Sequence, residues 1–202
     1  MTIRTILDIY ESAVSSHYRR PLLFHKKSER FEPITGEQFE SMSLKIATHL
    51  QKNGIARGDR VALISYNRPE WHAIDYACHI LGAILVPIYT TLSEAQIEYI
   101  LKDSGAKVVL AENHEYARKV HMGNVFIIDE FSSILPEVCT KIERETIDEN
   151  SVATIIYTSG TTGEPKGVIL THRNIVSNVI ASSKVVELNE SDLLLSFLPL
   201  SH

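Results

Sequence analysis

Residues 157–168 read YTSGTTGEPKGV, and the fold is decided by how this stretch sits between its neighbours. An apolar run, ATIIY at 153–157, leads into it, and a shorter one, VIL at 168–170, leads out. That pattern predicts a strand, a polar loop and a second extended segment. Gly160, Gly163 and Gly167 let backbone N–H groups turn inward and approach an anion closely. The hydroxyls of Thr158, Ser159, Thr161 and Thr162 add donors, and Lys166 adds a full positive charge. These groups together describe a cradle for phosphates. A plain Gly/Ser/Thr-rich turn is the competing reading. Lys166 is followed by Gly167 rather than Ser or Thr, so the stretch is not a Walker A loop, and it is not GxGxxG either.

Outward from the loop, apolar strands alternate with amphipathic helices. Ile3, Ile6, Leu7, Tyr10, Ala13, Val14 and His17 recur at helical spacing. A short strand at 21–24, pairing near Phe31, precedes a helix announced by the capping box Thr35-Gly-Glu-Gln38 and stopped at Gly54. Strands follow at 61–64, 84–88, 107–111 and 125–128. Between them lie a helix opened by Pro69, a helix capped by Ser93 and ended by Gly105, and a short helix at 114–120. Such alternation implies an α/β fold with a parallel sheet and right-handed crossovers. Residues 1–136 read as a first α/β lobe. Residues 137–150, charged and weakly periodic, read as a surface connector. Residues 151–202 read as the start of a second lobe, with a helix from His172 turning Ile175, Val176, Val179 and Ile180 inward and a last strand at 193–197.

The 202 residues, 44% hydrophobic, suffice for a sizeable core. A net charge of −5 argues against a nucleic-acid binder, which carries a basic stripe. Cys78 and Cys139 form no CxxC and read as buried thiols of a reducing, cytoplasmic compartment. The N-terminus lacks the pattern of a signal peptide, and the longest apolar run is far short of the ~20 residues that span a bilayer. His72 and His79 lack the i,i+4 spacing of a metal pair, so no metal site is expected there. Trp71 and Tyr76 read as core or interface residues, and His172 as serving the start of its helix.

Two ordered motifs carry a resemblance. The loop, continuing through Leu170-Thr-His-Arg-Asn174, resembles the phosphate loop of the adenylate-forming acyl-CoA synthetases, a family that includes luciferases and peptide-synthetase adenylation domains. Phe197-Leu-Pro-Leu-Ser-His202 resembles the next family motif in the form typical of long-chain fatty acid ligases. Asn67-Arg-Pro-Glu-Trp71 and the stretches at 86–92 and 96–101 resemble the same subgroup. The resemblance implies the first part of the large N-terminal domain of that fold. It also implies that ATP, Mg2+ and coenzyme A serve a two-step reaction. A fatty carboxylate attacks the α-phosphorus of ATP to give acyl-adenylate and pyrophosphate, and the thiol of coenzyme A then displaces AMP.

The resemblance further implies that Thr158, Ser159, Gly160, Thr161, Thr162, Gly163 and Lys166 contact ATP phosphates. Thr158 is then the candidate for a magnesium contact, and His202 lies near the acyl substrate and adenylate. The fatty substrate leaves peripheral contact with the inner face of a membrane open. In the family a magnesium-binding glutamate, a ribose-binding aspartate and a mobile lysine-bearing domain follow these motifs, so the chain is expected to be an N-terminal fragment that is inactive alone. A non-catalytic remnant or interaction module keeping the first lobe is the alternative, and a stand-alone nucleotide-binding switch is a weaker one.

Overall fold

The computed structural model describes residues 2–137, 142, 144–158, 164–187, 189 and 192–201. Helix α1 (Ile6–Ser16) begins three residues later than Ile3 suggests, because Thr5 and Asp8 form a capping box at its start. An antiparallel pair, β1 (Pro21–Lys27) and β2 (Arg30–Thr35), stands as its own two-stranded sheet. Helix α2 (Gly36–Lys52) starts at the expected Thr35/Gln38 capping box. Its first residue must be glycine. A Cβ there would sit 2.7 Å from the carbonyl oxygen of Val14 and 2.8 Å from that of His17, backbone atoms that cannot step aside.

The main sheet has six strands in the order β6-β5-β3-β4-β7-β8. β3 (Arg60–Ile64), β4 (Ile84–Ile88), β5 (Val108–Ala111), β6 (Val125–Ile127) and β7 (Val152–Thr158) run parallel, and β8 (Lys166–Thr171) runs antiparallel to β7. The strands of the sheet centre are apolar without alternation because both faces are covered. Val61, Leu63, Leu85, Val108 and Leu110 join the core beneath α1, α2 and α3 (Pro69–Ile80). Ala62, Ile64, Val86, Ile88, Val109 and Ala111 face the opposite layer, built by α4 (Glu94–Ser104) and α5 (His114–Ala117). Trp71 and Tyr76 lie in the first of these cores, with Tyr76 stacked between Tyr10 and Phe39 at centroid distances of 4.9 and 5.9 Å. Cys78 is buried in the same layer, and Cys139 lies outside the described residues. The α4 helix ends at Gly105 in the left-handed region, φ 62°, where the Arg60 guanidinium donates to the carbonyls of Ser104 and Gly105. After β6 a 3-10 turn at Ile128–Glu130 leads into α6 (Phe131–Ile134).

Three expectations change here. β7 lies beside β4, so residues 151–171 complete the first lobe's own sheet rather than opening another. The described part of 137–150, read as a surface connector between lobes, leads instead to a strand of the same sheet, and it is tied to the core. Ile142 and Ile147 pack on the core, Arg144 pairs with Glu11 and Glu40, and the Glu145 N–H donates to the Ile80 carbonyl. Third, residues 193–197 form no strand. A strand is defined by the backbone beside it, and no described strand lies there, so Leu193 and Phe197 stand 79% and 73% exposed. Of the four apolar residues expected to turn inward from α7 (His172–Ser183), Val176 is buried and Ile175 partly so, while Val179 and Ile180 face outward.

Candidate phosphate-binding site

Strands β7 and β8 form a hairpin whose register pairs Ile156 with Val168, Tyr157 with Gly167 and Thr158 with Lys166. The ladder therefore ends on a threonine hydroxyl facing across to a lysine, and the chain between them is the glycine-rich loop. Ser159, Gly160, Thr161, Thr162 and Gly163 lie outside the described residues. Thr158 and Lys166 are both exposed, and among the described residues no side chain pairs with Lys166.

The hairpin's position is set from three sides. Toward the sheet centre, the Thr154 hydroxyl donates to the carbonyl of Leu85 at 2.8 Å, locking β7 against β4. Toward α4, the Tyr157 phenol donates to the Asp103 carboxylate at 2.5 Å. Desolvation first, then that carboxylate, raises the Tyr157 phenol well above its usual range. The Tyr99 phenol is raised as well, by desolvation and then by the carboxylates of Asp103 and Glu164, so the end of α4 supports the base of the loop. Gly167 permits this arrangement. A Cβ there would meet Ile155 Cγ2 at 3.0 Å and the Tyr157 ring at 3.1 Å.

The third side is His172. Thr171 caps α7 in a capping box with Asn174, and His172, the first helical residue, is buried. Its backbone N–H donates to the Ser151 carbonyl, and its ring Nδ1 accepts the Ile6 N–H at 3.2 Å. Accepting at Nδ1 requires the neutral ring with its proton on Nε2. Desolvation, and then the neighbouring His79 ring at a centroid distance of 4.9 Å, push the His172 pKa down to about 4. Behind it, His79 Nε2 lies 3.1 Å from Asp75 Oδ1, and Asp75 Oδ2 accepts the Tyr10 hydroxyl at 2.9 Å. Despite that distance the His79 approach lies off the hydrogen-bond axis. His172 thus serves the start of its helix, as expected, and in addition bolts the hairpin to α1 and α3. Among the described residues, no three His, Cys, Asp or Glu side chains gather as a metal site.

Because β7 is parallel to β4, Thr158 lies at the carboxyl edge of the sheet. The second motif comes to the same edge. Asn67 follows β3, and its side chain donates Nδ2–H to the Leu198 carbonyl at 2.7 Å and accepts the Leu200 N–H on Oδ1 at 3.0 Å. His202 lies outside the described residues. Sequence reasoning singled out both motifs but not what holds them: Tyr157–Asp103, His172–Ile6 and Asn67. All three join residues far apart in sequence, and no local pattern signals such contacts. Open α/β sheets bind ligands at this edge.

A family model described as AMP-binding enzyme matches residues 10–202. This chain belongs to the AMP-binding enzyme family. Long-chain-fatty-acid–CoA ligase 1 of Cavia porcellus is 31% identical over 236 residues, covering 99% of the chain and 34% of that ligase. A long-chain-fatty-acid–CoA ligase of Rattus norvegicus is 29% identical over 231 residues, covering 100% of the chain and 35% of that protein. The chain therefore spans about a third of the length of these curated relatives. Among solved structures, a Mycobacterium tuberculosis fatty acyl CoA synthetase superposes with a TM-score of 0.85 at 26% identity, covering 98% of the chain and 41% of that protein. The O-succinylbenzoate coenzyme A synthetase of Bacillus subtilis in complex with AMP gives 0.83 at 28% identity, covering 96% of the chain and 49% of that protein.

The described residues at this edge suit phosphate groups. Lys166 offers an exposed ammonium with which no carboxylate among the described residues pairs, opposite a hydroxyl at the end of the β7–β8 ladder. A threonine oxygen is also the kind of ligand Mg2+ accepts. One hydroxyl holds no ion alone, so a magnesium ion here would be bound mainly through phosphate oxygens and water, with Thr158 as the protein's contribution.

Proposed function

We propose that the chain is the N-terminal part of a long-chain fatty acid–CoA ligase that acts through an acyl-adenylate. The observation that carries the reading is the juxtaposition of Thr158 and Lys166 at the carboxyl edge of the sheet, at the mouth of the glycine-rich loop. The relatives named as long-chain-fatty-acid–CoA ligases support it. A carboxylate is a poor acyl donor because its leaving group would be oxide, and transfer of AMP onto it supplies a good one. The reaction brings two anions together, so the site must neutralise charge and align the attack.

Lys166 neutralises the β- and γ-phosphates, whose charge leaves as pyrophosphate. Ser159, Thr161 and Thr162 donate to the same oxygens, and Gly160 and Gly163 allow the backbone amides to approach. Magnesium, when bound, supplies further charge neutralisation at the phosphates. Thr158 ends β7 at the start of the loop, and the Tyr157–Asp103 and His172–Ile6 bonds keep that strand end fixed.

Lys166→Ala in the full-length enzyme is expected to lower fatty-acid-dependent pyrophosphate exchange by about one to three orders of magnitude, the range for a lost charge-stabilising contact. Unchanged exchange would leave Lys166 a surface residue. The form of the 197–202 motif points to long acyl chains, so palmitate is expected to support exchange better than acetate. A preference for acetate would remove the subgroup assignment while leaving adenylation intact.

A further inference from the structure

Leu193, Leu194, Leu195, Phe197 and Leu198 stand exposed in irregular backbone, yet two residues later the chain is seated. Leu200 packs against the core beneath α1–α3, and Ser201 is buried at 6% exposure. The change happens at Asn67. Its carboxamide pairs with Leu198 and Leu200 as a neighbouring strand would, donating to the carbonyl of one and accepting the N–H of the other. No sheet strand reaches this segment among the described residues, so a side chain supplies the two backbone bonds that a strand would otherwise supply.

Asn67 is itself held. It sits in the short turn between β3 and Pro69, the first residue of α3, and its neighbours are fixed on both sides. The Tyr66 N–H and the Ser65 hydroxyl both donate to Glu112 Oε2, at 2.7 and 3.0 Å. Arg68 is pinned to Glu70 and Asp129, each at 2.8 Å. Glu112 follows β5, which borders β3 on one side, and β4 borders it on the other. From β3 the chain moves to β4 in one direction and then to β5 in the other. The turn carrying Asn67 therefore stands where the strand order reverses, the place where open α/β sheets open a crevice for ligands.

We propose that Asn67 is a positioning residue that clamps residues 198–201 to this crevice and so sets the motif ending in His202 for the adenylation step. The part concerning reaction rests on the ligase reading; the clamp does not. Asparagine is the side chain suited to the task, because it offers one donor and one acceptor in a plane at the spacing of a backbone amide. Aspartate keeps the acceptor for the Leu200 N–H and loses the donor to Leu198. Alanine loses both.

The test has two readouts. Amide hydrogen exchange at Leu200, measured in the 202-residue chain, is expected to speed up about tenfold or more in Asn67→Ala, as for loss of a hydrogen bond worth ~1.4 kcal/mol. In Asn67→Asp it is expected to stay slow, and the aspartate variant also covers the case in which the alanine variant does not fold. Fatty-acid-dependent pyrophosphate exchange in the full-length protein is the second readout. There Asn67→Ala is expected to lower kcat about tenfold to a hundredfold, the scale of a misplaced reacting group, with the KM for ATP little changed and partial recovery in Asn67→Asp. Equal Leu200 exchange in the wild type and both variants would overturn the clamp. A freed Leu200 amide with undiminished kcat would overturn the positioning role. A wild type without pyrophosphate exchange would instead remove the ligase reading, and the Leu200 amide would then decide the clamp by itself.

Discussion

A methyl group at residue 167 would lie 3.0 Å from Ile155 Cγ2 and 3.1 Å from the Tyr157 ring, so tight that a neighbour must give way. Gly167→Ala is therefore expected to push the Tyr157 ring away and break its bond to Asp103, at about 1–3 kcal/mol in urea denaturation, the usual cost of overpacking. Unchanged stability would mean the ring has room to move. His172 makes a second case for the single residue. Its ring stays neutral in the folded chain down to about pH 4, whereas an unfolded histidine takes a proton below about 6.5. Protons thus bind the unfolded chain first, and stability is expected to fall as pH drops from 6.5 toward 4. The groups facing it are His79 and Asp75 from α3, and Asp8 from α1. His72 and His49, also lowered by burial, contribute with the same sign, so His172→Asn is expected to flatten the slope of the urea midpoint against pH without abolishing it. A slope as steep as the wild type's would place the pH sensitivity elsewhere.

At the scale of elements, sequence signals succeeded where they were local. The Thr35, Ser93 and Thr171 side chains each cap a helix by accepting the N–H of the third helical residue, and each cap has its Gln or Asn reaching back. Of these, Thr35 and Ser93 were legible as capping boxes; at Thr171 the signal is the unusual Asn174 at the return position. Ser93→Ala is expected to cost ~1 kcal/mol, read as a shift of the urea midpoint with unchanged m-value. The buried strands were legible as uninterrupted apolar runs. The 193–197 run failed because apolarity predicts burial, and burial requires a partner that periodicity cannot supply. The placement of β7 failed for a related reason. A change of composition at 137–150 suggested a new lobe, but strand order is fixed by long-range contacts such as Thr154 to Leu85. For the candidate site, the sequence suggested phosphate chemistry through residue types in the loop, of which the described residues include Thr158 and Lys166. Its supports, Asp103, His172 with Ile6, and Asn67, came only with the fold.

Across the whole molecule, the two motifs that carry the family resemblance meet at one sheet edge from opposite mechanical circumstances. The β7–β8 hairpin is tied to α4, α1 and the sheet, while the 198–201 segment is reached through a span with little behind it. Val185, Leu193, Leu194 and Leu195 are exposed at 74–83%, and the described residues there show no regular structure after α7. The linking segment before β7 is the other candidate for loose chain. Its described residues are nonetheless anchored by Arg144 to Glu11 and Glu40, by Arg57 to Glu145, and by Ile147 on the core. Proteases cut where backbone is exposed and unbonded. A broad-specificity protease such as subtilisin at low ratio is therefore expected to cleave the 202-residue chain first within 193–197, leaving a fragment that begins at the N-terminus and retains α1 through α7. Mass spectrometry of the first products reads this directly. A first cut within 142–150 would mean that the Arg144 ion pairs and the Ile147 contact do not hold that segment in solution. The hairpin, which follows it, would then be fastened by α4, by His172 and by the pairing of β7 with β4.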